Sequence, residues 1–222
     1  MDIINAVNSR QSVRDFLDQP VSIPQLKELL EIAIRSPSGG NLQPWHIHVV
    51  SGESMSRLKK HMQARISSVE NAEPTDYAIY PPELKSPYRD RRFQVGEALY
   101  GQLNIPREDK AGRMRWFARN FEFFGAPVGL FFTIDRSMGA PQWSDLGMLM
   151  QTLMLLLKGK GLDSCAQECW SLYPKTVGDF LHLPYSQLLF AGMAVGYANK
   201  DNPINQLRTD RAPIEEVVAF HN

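Results

Sequence analysis

The stretch Arg10-Gln-Ser-Val-Arg14 sets two arginines four residues apart around Ser12. Guanidinium groups give forked, permanently charged donors and the serine adds a hydroxyl, a set suited to a phosphate. Two surface arginines flanking a turn are common, so both readings stand on these residues alone. A second stretch, Ser36-Pro-Ser-Gly-Gly-Asn-Leu-Gln-Pro-Trp45, packs two prolines and two glycines between a helical pattern and a β-branched run. Ser38, Gly39, Gly40 and Asn41 can turn tightly and leave backbone N–H groups pointing outward, the raw material of a polar ligand cradle. An ordinary helix-to-strand loop is the alternative. Near the carboxyl terminus, Asn205-Gln-Leu-Arg-Thr-Asp-Arg-Ala-Pro213 forms another basic patch around Arg208 and Arg211.

Two further groups read as structural. His46 and His48 flank a short strand at alternate positions, but no cysteine or carboxylate sits at ligand spacing, so no metal site is expected. Cys165 and Cys169 enclose three residues rather than the two of a thioredoxin-type motif. They read as small packing residues, with a redox dithiol as the alternative. The chain has no Gly-x-Gly-x-x-Gly after a strand, no Walker loop, no His-Glu-x-x-His and no Gly-x-Ser-x-Gly elbow.

Positioning these groups requires the following elements. Asp2 can cap a first helix carrying Ile3, Ile4 and Val7 that ends near Ser9. Ser22 and Gln25 fit a capping box, with Pro24 in the first turn; Leu26, Leu29, Leu30, Ala33 and Ile34 give one apolar stripe, running to about Arg35. After the glycine-rich loop comes a buried strand, 47–50, and a helix from Ser54 with Leu58, Met62 and Ile66 on one face. From Asn71 to Pro87 four prolines alternate with tyrosines, a segment of the kind that is functional or mobile in compact domains. Helices are expected through Tyr100 and from Glu108 to Phe124, the second with Met114, Phe117, Phe121 and Phe124 as a core stripe. Residues 128–134 make a buried strand. Trp143 to Lys160 is apolar almost all round, which predicts a central helix covered on every side and, in a domain of this size, a subunit interface. Pro174 to His182 is a short helix. Leu188 to Tyr197 is a central strand, in which Gly192 and Gly196 allow close backbone approach. The ending from Ile214 to Phe220 is predicted as a strand that reaches a partner subunit.

At 222 residues the chain can bury a full core, and one α/β or α+β domain spanning 1–222 is expected. Apolar and charged fractions of 43% and 22% place it among soluble globular proteins. A formal net charge of zero argues against nucleic acid or an anionic membrane surface as a partner. No apolar segment follows Met1 as in a signal peptide, and the longest apolar run is too short to span a bilayer, so a cytoplasmic location is expected.

Three of these stretches together resemble the nitroreductase family of FMN flavoproteins: Arg10–Arg14, Ser36–Trp45, and the last third with Gly161-Leu-Asp-Ser-Cys-Ala-Gln-Glu-Cys-Trp170 and the Arg208–Arg211 patch. They stand in the family's order, and the likeness covers nearly the whole chain outside about 71–119, which in the family forms a variable lid and substrate region. The resemblance implies an α+β fold: a central, mostly antiparallel sheet flanked by helices, with a long buried dimer-core helix in a domain-swapped homodimer. It implies that Arg10 and Ser12, with Arg208 and Arg211, hold the FMN phosphate, that Gln11 is among the cofactor-binding residues, and that Arg14 lies beside the flavin ring. Pro37, Ser38, Gly39, Asn41 and Gln43, from the other subunit, would complete the pocket. Gln167, Glu168 and Cys169 match the segment passing the reactive N5 edge, Asn120 falls near a ring-edge position, and Tyr88, Trp116 and Phe124 are the substrate-contact candidates. Activity would be hydride transfer from NADH or NADPH through flavin N5 to a nitroaromatic or quinone-like acceptor, by a ping-pong mechanism, with no catalytic acid or base required of the side chains. Other FMN chemistry on the same fold, such as reductive dehalogenation or an oxygen-dependent reaction, and a non-catalytic flavin-binding protein are the alternatives.

Overall fold

A computed structural model describes residues 1–67 and 73–221. Its four strands are β1 (Trp45–Ser51), β2 (Val128–Asp135), β3 (Asp163–Gln167) and β4 (Gln187–Gly196), in the order β1-β2-β4-β3 with every neighbouring pair antiparallel. Seven α-helices are described: α1 (Ile3–Ser9), α2 (Ile23–Ala33), α3 (Gly52–Ser67), α4 (Tyr88–Gln102), α5 (Lys110–Ala118), α6 (Ala140–Gly159) and α7 (Pro174–Leu181). This is the expected α+β architecture. The Pro- and Tyr-rich stretch was expected to begin at residue 71; residues 71 and 72 lie outside the described ones.

Strand alternation sorts the core into two layers. Leu130, Phe132 and Ile134 of β2, with Met193 and Val195 of β4, face the layer containing α2 and α6. Phe131 and Ala194, on the intervening positions, face the opposite layer with Leu58 and Met62 of α3 and Val177 of α7. Between Phe132 and Thr133 the register with β4 shifts, so that Phe190 is the extra residue of a β-bulge. The bulge frees the Phe190 carbonyl from the ladder, and it accepts the hydroxyl of Tyr77, whose ring stacks on that of Phe190 and meets that of Trp143 edge to face. One residue of the Pro- and Tyr-rich stretch is thereby fastened to the sheet.

Local chemistry explains the helix starts. Asp2 accepts the Asn5 N–H at 2.9 Å, and Ser22 accepts the Gln25 N–H at 3.3 Å, the first of the two bonds of the expected capping box.

Two expectations change. The helix expected over 108–124 ends at Ala118 and continues as a 3-10 segment, Arg119–Gly125, with Phe123 and Phe124 both in the left-handed region at φ 51° and 54°. A regular helix cannot turn residues 121, 123 and 124 to one side, and burying all three rings outweighs the local strain. Met114 and Phe117 are correspondingly exposed rather than core. The strand expected at 214–220 is a 3-10 turn, Ile214–Glu216, followed by irregular chain; it lies beside α4, where Glu216 pairs with Arg91, and not along an edge of the sheet. Within this single chain α6 has a covered side and an open one: Leu146, Leu149, Leu153 and Leu157 are buried and Gly147, Met148 and Gln151 are exposed, while α1, α2 and β3 pack against it.

Candidate functional site

The Arg10–Arg14 segment lies alongside β3: Ser12 makes a parallel bridge with Ser164, and the Val13 N–H donates to the Ser164 carbonyl at 3.0 Å. Beyond it, Leu17 N–H donates to Tyr197 O at 2.8 Å and Asn199 N–H to Asp15 O at 3.0 Å. The chain then returns from β4, so that the basic stretch 207–211 lies against the amino-terminal one. Arg10, Gln11, Ser12, Arg14, Arg208 and Arg211, with Val95, Leu207 and Thr209, line one cavity of about 240 Å³. It adjoins a larger groove of about 700 Å³ between α4 and residues 207–216, walled also by Arg91 and Glu216, which pair with each other.

Among the described residues, no carboxylate neutralises the charge in this cavity: none lies within 4.0 Å of Arg10, Arg14, Arg208 or Arg211. Arg208 instead donates to the carbonyls of Asn8 and Ser9 and to Gln11 Oε1, while Arg211 is held by Thr209 and the Asp210 carbonyl. By contrast Arg119, close by in the fold, is spent on Asp15 at 2.7 Å. Burial, then the positive charges of Arg211 and Arg208, hold the Arg10 guanidinium below its ordinary value. Like charges crowded this way in a chain of zero net charge are relieved by an anion, and forked donors plus a serine hydroxyl suit a phosphate.

Ser38, Gly39, Asn41 and Gln43 stand apart from that cavity. Their loop projects from the other end of α2; Pro37, Gly39, Gly40, Asn41 and Gln43 are exposed. It is a tight structure: Gly40, Asn41 and Gln43 take φ of 58°, 56° and 49°, and Gln43 N–H donates to Ser38 Oγ at 2.9 Å. Gly39 N–H donates to Oδ1 of the buried Asp145 at 3.2 Å, which fastens the loop to α6. The other Asp145 oxygen has no partner among the described residues. Within one chain, then, the two cofactor stretches read from the sequence are not brought together.

The third stretch closes the sheet side. β3 ends at Gln167, and the 3-10 turn Glu168–Leu172 drops Trp170 into the core. The polar atoms of Gln167 are engaged: Nε2 donates to the carbonyl of Asn120 at 2.8 Å and to its Oδ1 at 3.2 Å, and Oε1 accepts from Trp170 at 3.4 Å. Sequence positions 120 and 167, read separately, therefore meet. Desolvation by its surroundings pushes the Glu168 carboxyl above its usual range, although part of the residue reaches solvent. Burial likewise raises the thiols of Cys165 and Cys169, which are free and act as packing groups. His48 Nε2 lies 3.2 Å from Thr133 Oγ1.

Of the residues read as substrate contacts, Tyr88 opens α4 and is exposed. Trp116 is half-buried, with the Arg119 guanidinium 4.8 Å from its ring. Phe124 is 1% exposed and belongs to the core. Asp145 and Asn205 were missed. Asp145 carries no local signal, whereas Asn205 ends a series of asparagines at 199, 202 and 205, a turn-forming pattern between the last strand and the basic patch.

Comparison with known proteins adds the following. The model described as the nitroreductase family matches residues 7–197. The chain is 41% identical to a 4-nitrobenzoate reductase of Pseudomonas putida over 95% of its own length and 91% of that protein's. It is 37% identical to a nitrobenzene nitroreductase of Ectopseudomonas oleovorans, over 98% and 96% of the two lengths. Its fold superposes at a TM-score of 0.96, with 46% identity and 100% of both chains covered, on the FMN and NADPH-dependent nitroreductase NfnB from Sphigopyxis sp. strain HMH. Arg208 and Arg211 lie beyond the residues that the family model matches.

Proposed function

The chain belongs to the nitroreductase family, and from that premise we propose that it is an NAD(P)H-dependent FMN oxidoreductase that reduces a small nitroaromatic or quinone-like acceptor. The carrying observation is the convergence on one cavity, from opposite ends of the sequence, of four arginines that have no carboxylate partner among the described residues. The donor set fits FMN: Arg10, Ser12, Arg208 and Arg211 would hold its phosphate, and Arg14 would place a positive charge beside its ring. FMN, when bound, accepts hydride from the nicotinamide donor and passes electrons on at N5. What the chain adds is binding and electrostatics. Arg14 would favour negative charge on the reduced ring, and the backbone N–H groups around Glu168 and Cys169 would serve as donors toward the ring's reactive edge. Relatives named for nitrobenzoate, nitrobenzene and NADPH support this choice of substrate and donor.

The pocket is completed by a second copy of the chain. The Pro37–Gln43 loop is exposed and away from its own arginines, and apolar Ile3, Ile4, Val7, Met148, Val217 and Phe220 are open to solvent. Such a surface suits a homodimer with two equivalent flavins, in which the tail from Ile214 and the open side of α6 meet the partner. Light scattering should return twice the chain mass; a monomer with full flavin occupancy would refute the shared pocket. We read residues 1–222 as one FMN-binding domain, with about 71–119 as its lid and substrate region, acting in the cytoplasm. Among the described residues no helix is long and apolar enough to cross a membrane.

The test is anaerobic. NADPH or NADH should bleach the flavin absorbance of the purified protein, and 4-nitrobenzoate should restore it. Steady-state double-reciprocal lines should be parallel, because one cavity serves both substrates in turn. Absence of bleaching would make the protein a flavin carrier. Bleaching reversed only by oxygen or a haloaromatic would assign it different FMN chemistry.

A further inference from the structure

We propose that Asn205 is the positioning residue that makes this site select a phosphorylated flavin over the same flavin without its phosphate. The inference rests on the flavin reading above and concerns a residue outside the matched family region. Asn205 is 6% exposed, and its side chain joins segments nearly the whole chain apart. Its Oδ1 accepts the backbone N–H of Arg14 at 2.8 Å; its Nδ2 donates to the carbonyls of Asp15 at 2.7 Å and Asn199 at 2.9 Å. Its own carbonyl accepts Gln11 Nε2 at 2.6 Å, and Gln11 Oε1 in turn accepts Arg208 Nη1 at 3.1 Å.

This network spans the cavity's two arms. One arm is the amino-terminal segment through Gln11 and Arg14; the other is the carboxyl-terminal stretch that carries Arg208. Backbone bonds tie the amino-terminal segment to β3 and to Tyr197–Asn199, but among the described residues no backbone–backbone bond joins residues 10–14 to 205–211, so side chains set the separation of the two arms. A carboxamide presents one acceptor and two donors in a plane, and all three are used here. The arginines must hold their mutual repulsion at a spacing that fits one dianion, and Asn205, acting through Gln11, sets that spacing. A flavin without phosphate makes no use of it.

Titration of flavin-free protein with FMN and, separately, with riboflavin tests the role. In the wild type FMN should bind far more tightly than riboflavin. Asn205→Ala should weaken FMN by about tenfold or more, the worth of a lost buried polar contact, and riboflavin by a distinctly smaller factor, the part that passes through the released Arg14 backbone beside the ring. Gln11→Met should act in the same direction; it keeps the side-chain length at a half-buried position and serves if Asn205→Ala does not fold. Equal weakening of both flavins would make the network mere scaffolding, and an unchanged FMN preference in Gln11→Met would remove the network from selectivity; either overturns the proposal. A wild type that binds FMN no better than riboflavin would instead overturn the phosphate reading itself, and the proposal with it.

Discussion

Trp170→Ala should lower the free energy of unfolding by about 3–5 kcal/mol, read from denaturant titration. The indole is fully buried, with ring centroids of Phe123, Phe131 and Phe121 at 4.6, 4.9 and 5.3 Å. It rests directly on Gly192 of β4, where a methyl group would collide with Cδ1 of the ring. The same logic predicts a coupling. Gly192→Ala alone should cost about 1–3 kcal/mol through overpacking, but little or nothing in the Trp170→Ala background, where the new methyl finds room. Strictly additive losses would show that the glycine serves something other than the indole. The consequence reaches the site, because Trp170 anchors the turn that carries Glu168 and Cys169. A displaced indole should therefore weaken FMN as well as stability.

Arg10→Ala and Arg211→Ala should each weaken FMN by about 2–3 kcal/mol, since each removes a charge-assisted contact to the same phosphate. Fluorescence titration of the flavin-free protein measures it, and the loss should amount to roughly 30- to 150-fold in Kd. Stability of the flavin-free protein should hold or rise, because neither side chain has a carboxylate partner among the described residues and their mutual repulsion is relieved. That sign separates a ligand site from a structural ion pair: Arg119→Ala, which abandons Asp15, should be destabilising. FMN affinity equal to wild type in both Arg10 and Arg211 variants would place the phosphate elsewhere.

The segment following Ala118 shows where reading by periodicity stops. Phe117, Phe121 and Phe124 recur at nearly helical spacing, yet two consecutive left-handed residues carry the chain into the core. Spacing reports what a helix would do with these rings; it cannot weigh strain against a cluster assembled from β2, β4 and the turn at Trp170. β3 went unread as a strand for a related reason: Asp163-Ser-Cys-Ala-Gln167 has little intrinsic strand preference and pairs because β4 is beside it.

The sequence by itself determined the elements with strong local chemistry. Capped starts at Asp2 and Ser22, the apolar runs of β2 and β4 and the small residues at Gly192 and Gly196 are decided within a few positions of themselves. It also determined the residue types of the site, since forked cations, hydroxyls and a glycine-rich turn announce anion binding wherever they fall. Which of them share one cavity was decided only by the tertiary structure. Arg10 and Arg211 meet because the first segment runs along β3 and the chain returns from β4 across it. The loop at Gly39, equally prominent in the sequence, is carried by α2 and α6 to another part of the surface. Long-range pairing of this kind comes from strand register and from single buried groups such as Asn205 and Asp145, which reach Arg14 and Gly39 across 191 and 106 residues of sequence. No local pattern encodes such a partner, because the interaction exists only once both segments are folded.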